Sequence, residues 1–209
     1  LIETMLFDPA EGGFVLLERH MERLANSARY FAFAYDEDAA RRALQDAVAG
    51  KSGRLRVRLL LTEDGVVTVT TTALGPADPK AVMRFAVSST RMDSADLFLF
   101  HKTTRREVYD RERQDCAERF GSDEVVYTNE HGELTEGSFT NVFIERGGEL
   151  LTPPLSAGLL PGTLRAELIA EGRAREATLT LADLDTADAI YLGNSVRGLV
   201  RAERVAQSA

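Results

Sequence analysis

The chain has 209 residues, 44% of them hydrophobic and 28% charged, with a formal net charge of −8. That length accommodates one large domain or two small ones, each able to bury a core. The acidic balance argues against a nucleic-acid partner, which needs clustered Lys and Arg. No apolar run approaches the roughly 20 residues that span a bilayer, so no membrane partner is expected.

From the start, Leu1 to Phe7 and Phe14 to Glu18 read as strands joined across Asp8-Pro9-Ala10-Glu11-Gly12-Gly13. The chain begins without methionine, on what reads as a strand already under way, so it is expected to be trimmed or to continue upstream. No basic start followed by an apolar stretch marks a signal peptide. Residues 19–31 read as a helix with Met21, Leu24, Ala28 and Phe31 on one face and His20, Arg23 and Ser27 on another. A second helix is predicted from about Asp36 to Ala49, stopped by Gly50-Lys51-Ser52-Gly53. Strands follow at roughly 54–62 and 66–73, and Gly75 to Lys80 is the best linker candidate. Two domains, 1–75 and 81–209, are therefore predicted.

In the second part, 81–89 reads as a strand. A helix is predicted over 104–119, opened by a capping box at Thr104-Arg105-Arg106-Glu107. Strands are predicted at about 123–130, 134–146 and 149–153, then a helix over 163–171 and a final strand, 189–193, leading into Asn194-Ser195. No internal repeat or low-complexity tract interrupts this alternation of strands and helices.

The chemistry-bearing candidates are few. The chain has only three lysines among 25 basic residues, and one of them, Lys102, sits just ahead of a helix. A lysine amine can form a Schiff base with a carbonyl cofactor, as no arginine can. Leu97 to Phe100 precede it and are expected to bury the approach, which favours a neutral amine. Glu136 follows 34 residues later, in Thr135-Glu136-Gly137-Ser138-Phe139-Thr140-Asn141-Val142-Phe143. A carboxylate can pair with the protonated ring nitrogen of pyridoxal phosphate and keep that ring an electron sink. Period-two alternation puts Leu134, Glu136, Ser138 and Thr140 on one strand face, either exposed or lining a polar pocket. Pro161-Gly162-Thr163 offers a helix N-terminus suited to phosphate, and also an ordinary helix start.

Other patterns fail. Gly50-Lys51-Ser52 imitates the end of a nucleotide-binding loop, but the first required glycine would fall at Gln45. His20, His101 and His131 are scattered, so no metal site is expected. The lone Cys116 makes no internal disulfide, which fits a reducing cytoplasm. Arg54, Arg56 and Arg58 alternate along one strand face, as a solvated surface or as a carboxylate receiver.

The Glu-Gly-Ser-x-x-Asn-x-Phe signature at Glu136 to Phe143 and the stretch His20 to Ala28 resemble the class IV aminotransferases. This family of pyridoxal-phosphate enzymes includes branched-chain and D-amino-acid aminotransferases and 4-amino-4-deoxychorismate lyase. The resemblance covers nearly the whole chain. It implies an α/β (α+β) fold of the D-amino-acid aminotransferase type, with a small N-terminal α/β domain and a larger barrel-like C-terminal domain. It also implies that Lys102 is the Schiff-base lysine and acid/base catalyst, that Glu136 pairs with the ring nitrogen, and that Arg23 binds the cofactor phosphate. Amides of Thr163 and Leu164, with Asn194 and Ser195, complete the phosphate cup in this reading. Arg56, Arg58 and Arg197 are candidates for substrate carboxylates.

The motifs His101 to Arg106, Gly158 to Thr163 and Asn194 to Gly198 look most like lyase domains fused to aminodeoxychorismate synthase, which favours the lyase over the alternative, a branched-chain or D-amino-acid type aminotransferase acting on a 2-oxo acid. The implied partner is a small amine or amino-acid substrate, in an enzyme that usually works as a homodimer. The chain departs from the family in lacking the strand before the N-terminal hairpin and much of the C-terminal tail. Ile2 also replaces the substrate-binding tyrosine of D-amino-acid aminotransferases.

Overall fold

The structure is a computed structural model and describes residues 1–207. It divides into two compact units: Leu1–Ala77 with His101–Thr104 and Ser195–Arg197, and Asp78–Phe100 with Arg105–Asn194 and the residues from Gly198 onward.

The first unit is a four-stranded antiparallel sheet with two helices. Strands β1 (Ile2–Asp8), β2 (Gly13–Phe14), β3 (Leu55–Leu61) and β4 (Val67–Ala73) lie in the order β2-β1-β3-β4, and helices α1 (Leu17–Tyr30) and α2 (Glu37–Val48) connect β2 to β3. Alternation in β3 sends Leu55, Val57, Leu59 and Leu61 into the core and Arg56 and Arg58 outward. Met21, Leu24 and Ala28 of α1 and Ala40, Leu44 and Val48 of α2 close that core at helical spacing. Asp36 caps α2 by accepting from the Ala39 amide at 3.0 Å. The strand predicted over Phe14 to Glu18 shrinks to Gly13–Phe14. Leu16 takes a left-handed backbone (φ 55°), and α1 begins directly after it.

The second unit contains β5 (Val82–Met92), α3 (Glu107–Phe120), β6 (Glu124–Asn129), β7 (Leu134–Gly137), β8 (Asn141–Arg146) and β9 (Glu149–Thr152). These are followed by α4 (Thr163–Ala170), β10 (Arg175–Glu176), α5 (Leu181–Asp185), β11 (Ala189–Asn194) and β12 (Gly198–Arg204). The sheet order is β10-β9-β8-β11-β12-β5-β6-β7, and a further β7–β8 pairing joins β7 back to β8, making the closed, barrel-like sheet the fold class requires. Its core includes Phe85, Val126, Leu134, Val142, Ile144 and Leu192.

Three expectations need correction here. The helix predicted from 104 begins at Glu107, and its N-cap, Arg106, makes no side-chain capping bond, so the capping box does not form. Arg106 instead donates to the Ser138 carbonyl. Leu97 and Phe98 do not bury the approach to Lys102. They are 56% and 41% exposed, because a single 3-10 turn points only Leu99 inward while Phe98 lies under the Arg105 guanidinium at 4.4 Å. Finally, the strand predicted over 134–146 is broken into β7 and β8, for a reason that belongs to the site.

Candidate functional site

In the first unit the site is organised by Glu3, an acid near the start of β1 that is only 1% exposed. Helical spacing puts His20, Arg23 and Ser27 on one side of α1. Arg23 donates to Glu3 from Nε (2.8 Å, Oε1) and Nη2 (2.6 Å, Oε2), the bidentate geometry that a guanidinium and a carboxylate share. His20, fully buried, places Nδ1 2.6 Å from Glu3 Oε2 and Nε2 3.0 Å from Ser195 Oγ. Burial alone would raise the Glu3 carboxyl. The Arg23 charge and the His20 hydrogen bond overcome it and hold the group at about 2. Burial depresses His20, so it is the neutral imidazole that bridges Glu3 and Ser195.

An ionised Glu3 accepts from Nδ1–H, which leaves Nε2 to accept from the Ser195 hydroxyl. The single hydroxyl proton is therefore committed to Nε2 or to the Thr4 carbonyl at 3.3 Å. The Lys102 charge is among the influences on His20. The Lys102 carbonyl accepts from the Ile2 amide at 2.9 Å, and the preceding His101 is fixed by Ser27 Oγ at 2.9 Å and stacked on Tyr30. Arg56 and Arg58 lie on the outward face of β3, paired with Thr72 and Thr70 of β4. Arg197 also belongs to this unit.

In the second unit Glu136, 8% exposed, is pinned through both oxygens. Oε1 accepts from the Tyr109 hydroxyl at 3.1 Å, and Oε2 from the Leu160 amide at 3.1 Å. The hairpin that carries it turns at Ser138 to Thr140, and Glu124 makes the turn. This wholly buried carboxylate accepts on Oε1 from the Val125 and Ser138 amides, both at 2.9 Å, and from the Ser138 hydroxyl. On Oε2 it accepts from the Phe139 amide at 3.2 Å and the Thr140 hydroxyl at 2.9 Å. Ser138 and Thr140 are thus drawn onto one acid instead of alternating along a strand, which is why the period-two reading of this stretch fails. A Cβ on Gly137 would meet Thr140 Oγ1 at 2.3 Å, so only glycine admits the turn.

Asn141, opposite Glu136 in the ladder, donates to the Leu160 carbonyl at 3.1 Å. Asn194 donates from Nδ2 to the Phe139 carbonyl at 3.2 Å. Helix α4 starts at Thr163 with Gly162 as its N-cap, and no side chain caps it. A first turn of this kind, with Thr163 and Leu164 leading, presents backbone N–H groups and a positive dipole end.

The candidate residues thus fall in two groups: Lys102, Arg23, Ser195, Arg56, Arg58 and Arg197 in the first unit, and Glu136, Thr163, Leu164 and Asn194 in the second. Glu3, Glu124 and Tyr109 were not singled out from the sequence. Glu3 left a signal, as the one acid within the largely apolar stretch Leu1 to Phe7; Glu124, next to Asp123 at the start of a strand, left none. Each unit by itself carries groups of the kind pyridoxal phosphate calls for: an amine and a guanidinium in the first, a carboxylate and a helix start in the second.

The family model described as amino-transferase class IV matches residues 1–205. A crystal structure named “Putative amino-acid aminotransferase”, from Mesorhizobium loti, superposes with a TM-score of 0.92 at 42% identity, covering 98% of this chain and 99% of that one. A Schizosaccharomyces pombe protein named “Putative aminodeoxychorismate lyase” is 29% identical, over 99% of this chain and 90% of its own length. A “Probable branched-chain-amino-acid aminotransferase” from Thermotoga maritima is 26% identical, over 90% of this chain and 71% of its own length.

Proposed function

The chain belongs to the class IV aminotransferases, a family of pyridoxal-phosphate enzymes, and from that premise we propose that it is a lyase converting 4-amino-4-deoxychorismate to 4-aminobenzoate and pyruvate. The observation that carries the proposal is the near end-to-end likeness to the fission-yeast protein, joined to a Glu136 held on both oxygens. When bound, the cofactor supplies an aldehyde for the substrate amine and a protonated ring that draws electrons from the neighbouring carbon.

The chain's own residues do the rest. Lys102 Nζ takes the proton from the amine-bearing carbon of the substrate. Glu136 keeps a proton at the cofactor's ring nitrogen. Arg23, steadied by Glu3, holds the phosphate together with the amides of Thr163 and Leu164, Asn194 and Ser195. For Ser195 the backbone amide is the donor, since its hydroxyl is committed to His20 or Thr4. Arg56, Arg58 and Arg197 read the substrate carboxylates by bidentate hydrogen bonds. The proton lost from the ring is matched by the one that turns enolpyruvate into pyruvate, so no second substrate is consumed. We assign the active form as a cytoplasmic homodimer, which light scattering on the purified protein tests.

A second reading, transfer of the amino group to a 2-oxo acid, is supported by the 42% identity to the Mesorhizobium protein. It uses the same residues, with Lys102 returning the proton to the cofactor's aldehyde carbon. Cofactor-loaded protein is incubated with aminodeoxychorismate, and with a panel of L- and D-amino acids, in the absence of any keto acid. A lyase releases pyruvate continuously, whereas a transaminase stops after one turnover until a keto acid is added. In either case Lys102→Ala is expected to abolish turnover and let the cofactor be washed out. An active variant that keeps its cofactor overturns the role of Lys102.

A further inference from the structure

Tyr109 has no part in the roles above, yet its hydroxyl lies 3.1 Å from Glu136 Oε1. Its ring is clamped from two directions. The Arg106 guanidinium lies 5.3 Å from its centroid, and the fully buried Tyr127 meets it edge-on at 5.2 Å and 78°. Two χ angles fixed in this way leave the hydroxyl little freedom. Burial, then the Glu136 charge and the hydrogen bond to it, push the phenol well above its ordinary range. Tyr109 therefore keeps its proton and can only donate. The other Glu136 oxygen accepts from the Leu160 amide at 3.1 Å.

A donor on a carboxylate stabilises its charged form and makes it a weaker base. A proton shared between Glu136 and a ring nitrogen then settles on the nitrogen, where it must be for the ring to draw electrons. We propose that Tyr109 is a positioning residue that keeps this proton on the cofactor's ring nitrogen by holding Glu136 a weak base. The inference rests on the reading of Glu136 as the partner of that nitrogen. It assigns the phenol a chemical task that ring packing alone would not require.

The test uses holoenzyme loaded with cofactor isotopically labelled at the ring nitrogen, whose resonance reports protonation directly. In Tyr109→Phe the signal is expected to move part of the way toward unprotonated pyridine. The value of kcat should fall about tenfold, the usual weight of one hydrogen bond to a charged group, with little change in KM. Replacing Tyr109 by a fluorinated tyrosine, a stronger donor of nearly the same shape, is expected to shift the signal the other way. That variant keeps the test valid should the phenylalanine variant fold poorly. Lost packing would not produce shifts of opposite sign.

Glu136→Gln is run alongside. If it moves the resonance while neither Tyr109 replacement does, the inference about Tyr109 is overturned and the role of Glu136 stands. If it leaves the resonance in place, the reading of Glu136 itself falls.

Discussion

Glu124 offers a direct test of how the hairpin carrying Glu136 is held, through Glu124→Gln. The side chain is wholly buried and accepts from three backbone amides and two hydroxyls. An amide nitrogen placed at Oε1 would face the Val125 and Ser138 N–H groups, and one at Oε2 would face Phe139 N–H. The second is the cheaper, because the Thr140 hydroxyl can turn to accept. It still leaves one buried amide without an acceptor, at roughly 1–3 kcal/mol, and weakens the charge-assisted bonds that remain.

An opposing effect is present. Burial raises the Glu124 carboxyl against the pull of its donors, so a neutral side chain recovers part of a desolvation cost. The unmatched amide is expected to win by about 2 kcal/mol. For a chain of this size that lowers the melting temperature by roughly 4–8 °C, with a parallel loss of cofactor affinity, since the turn sets the Glu136–Asn141 pairing. Differential scanning fluorimetry with and without pyridoxal phosphate measures both. A variant that melts at or above the wild-type temperature would refute the reasoning and show that Glu124 is carried protonated.

Gly162→Ala should destabilise without any backbone strain, because its φ is an ordinary −64° while an added Cβ would fall 1.8 Å from Asn141 Oδ1. Displacing Asn141 breaks its bond to the Leu160 carbonyl, and a loss of about 1–3 kcal/mol in urea unfolding is expected; an unchanged midpoint would contradict that geometry. Glu3 makes a prediction about acid. Its folded value, about 2, lies below the unfolded 4.5, so its contribution is complete above 4.5 and is lost as pH falls toward 2. The stability gap between wild type and Glu3→Gln should therefore narrow on acidification, and unfolding curves that stay parallel across that window would exclude the Glu3–Arg23–His20 linkage.

What could be read from the sequence follows the range of the interactions concerned. The helices α1 and α2 and the strands β3 and β4 are set by local periodicity, and Met21, Leu24, Val57 and Leu59 occupy the core that periodicity assigns. The break between β7 and β8 is hidden because Ser138 and Thr140 continue a period-two pattern, and the agent of the turn, Glu124, lies on another strand. Strand β12 also escaped notice. It has little alternation, and it is held between β11, its antiparallel hairpin neighbour, and β5, a parallel partner some 120 residues away. At the site, Lys102 and Glu136 stand out by residue type and neighbourhood. Tyr109 does not, since nothing local distinguishes its hydroxyl from that of any tyrosine on a helix.

Each unit spends a buried carboxylate on holding other groups, and the two are neutralised in different ways. Glu3 meets a full positive charge on Arg23 and a polar imidazole, and the attraction outweighs its loss of hydration. Glu124 meets dipoles only, and five of them do not recover what burial removes. The same residue type therefore responds to acid with opposite signs. Lowering the pH removes stability through Glu3. Through Glu124 it restores some, over the interval between its raised folded value and the unfolded 4.5. A cation is affordable where an anionic phosphate is to be bound, as Arg23 is in the proposed site. Glu136, in the second unit, accepts from a phenol and a backbone amide, two donors that fix the carboxylate's orientation.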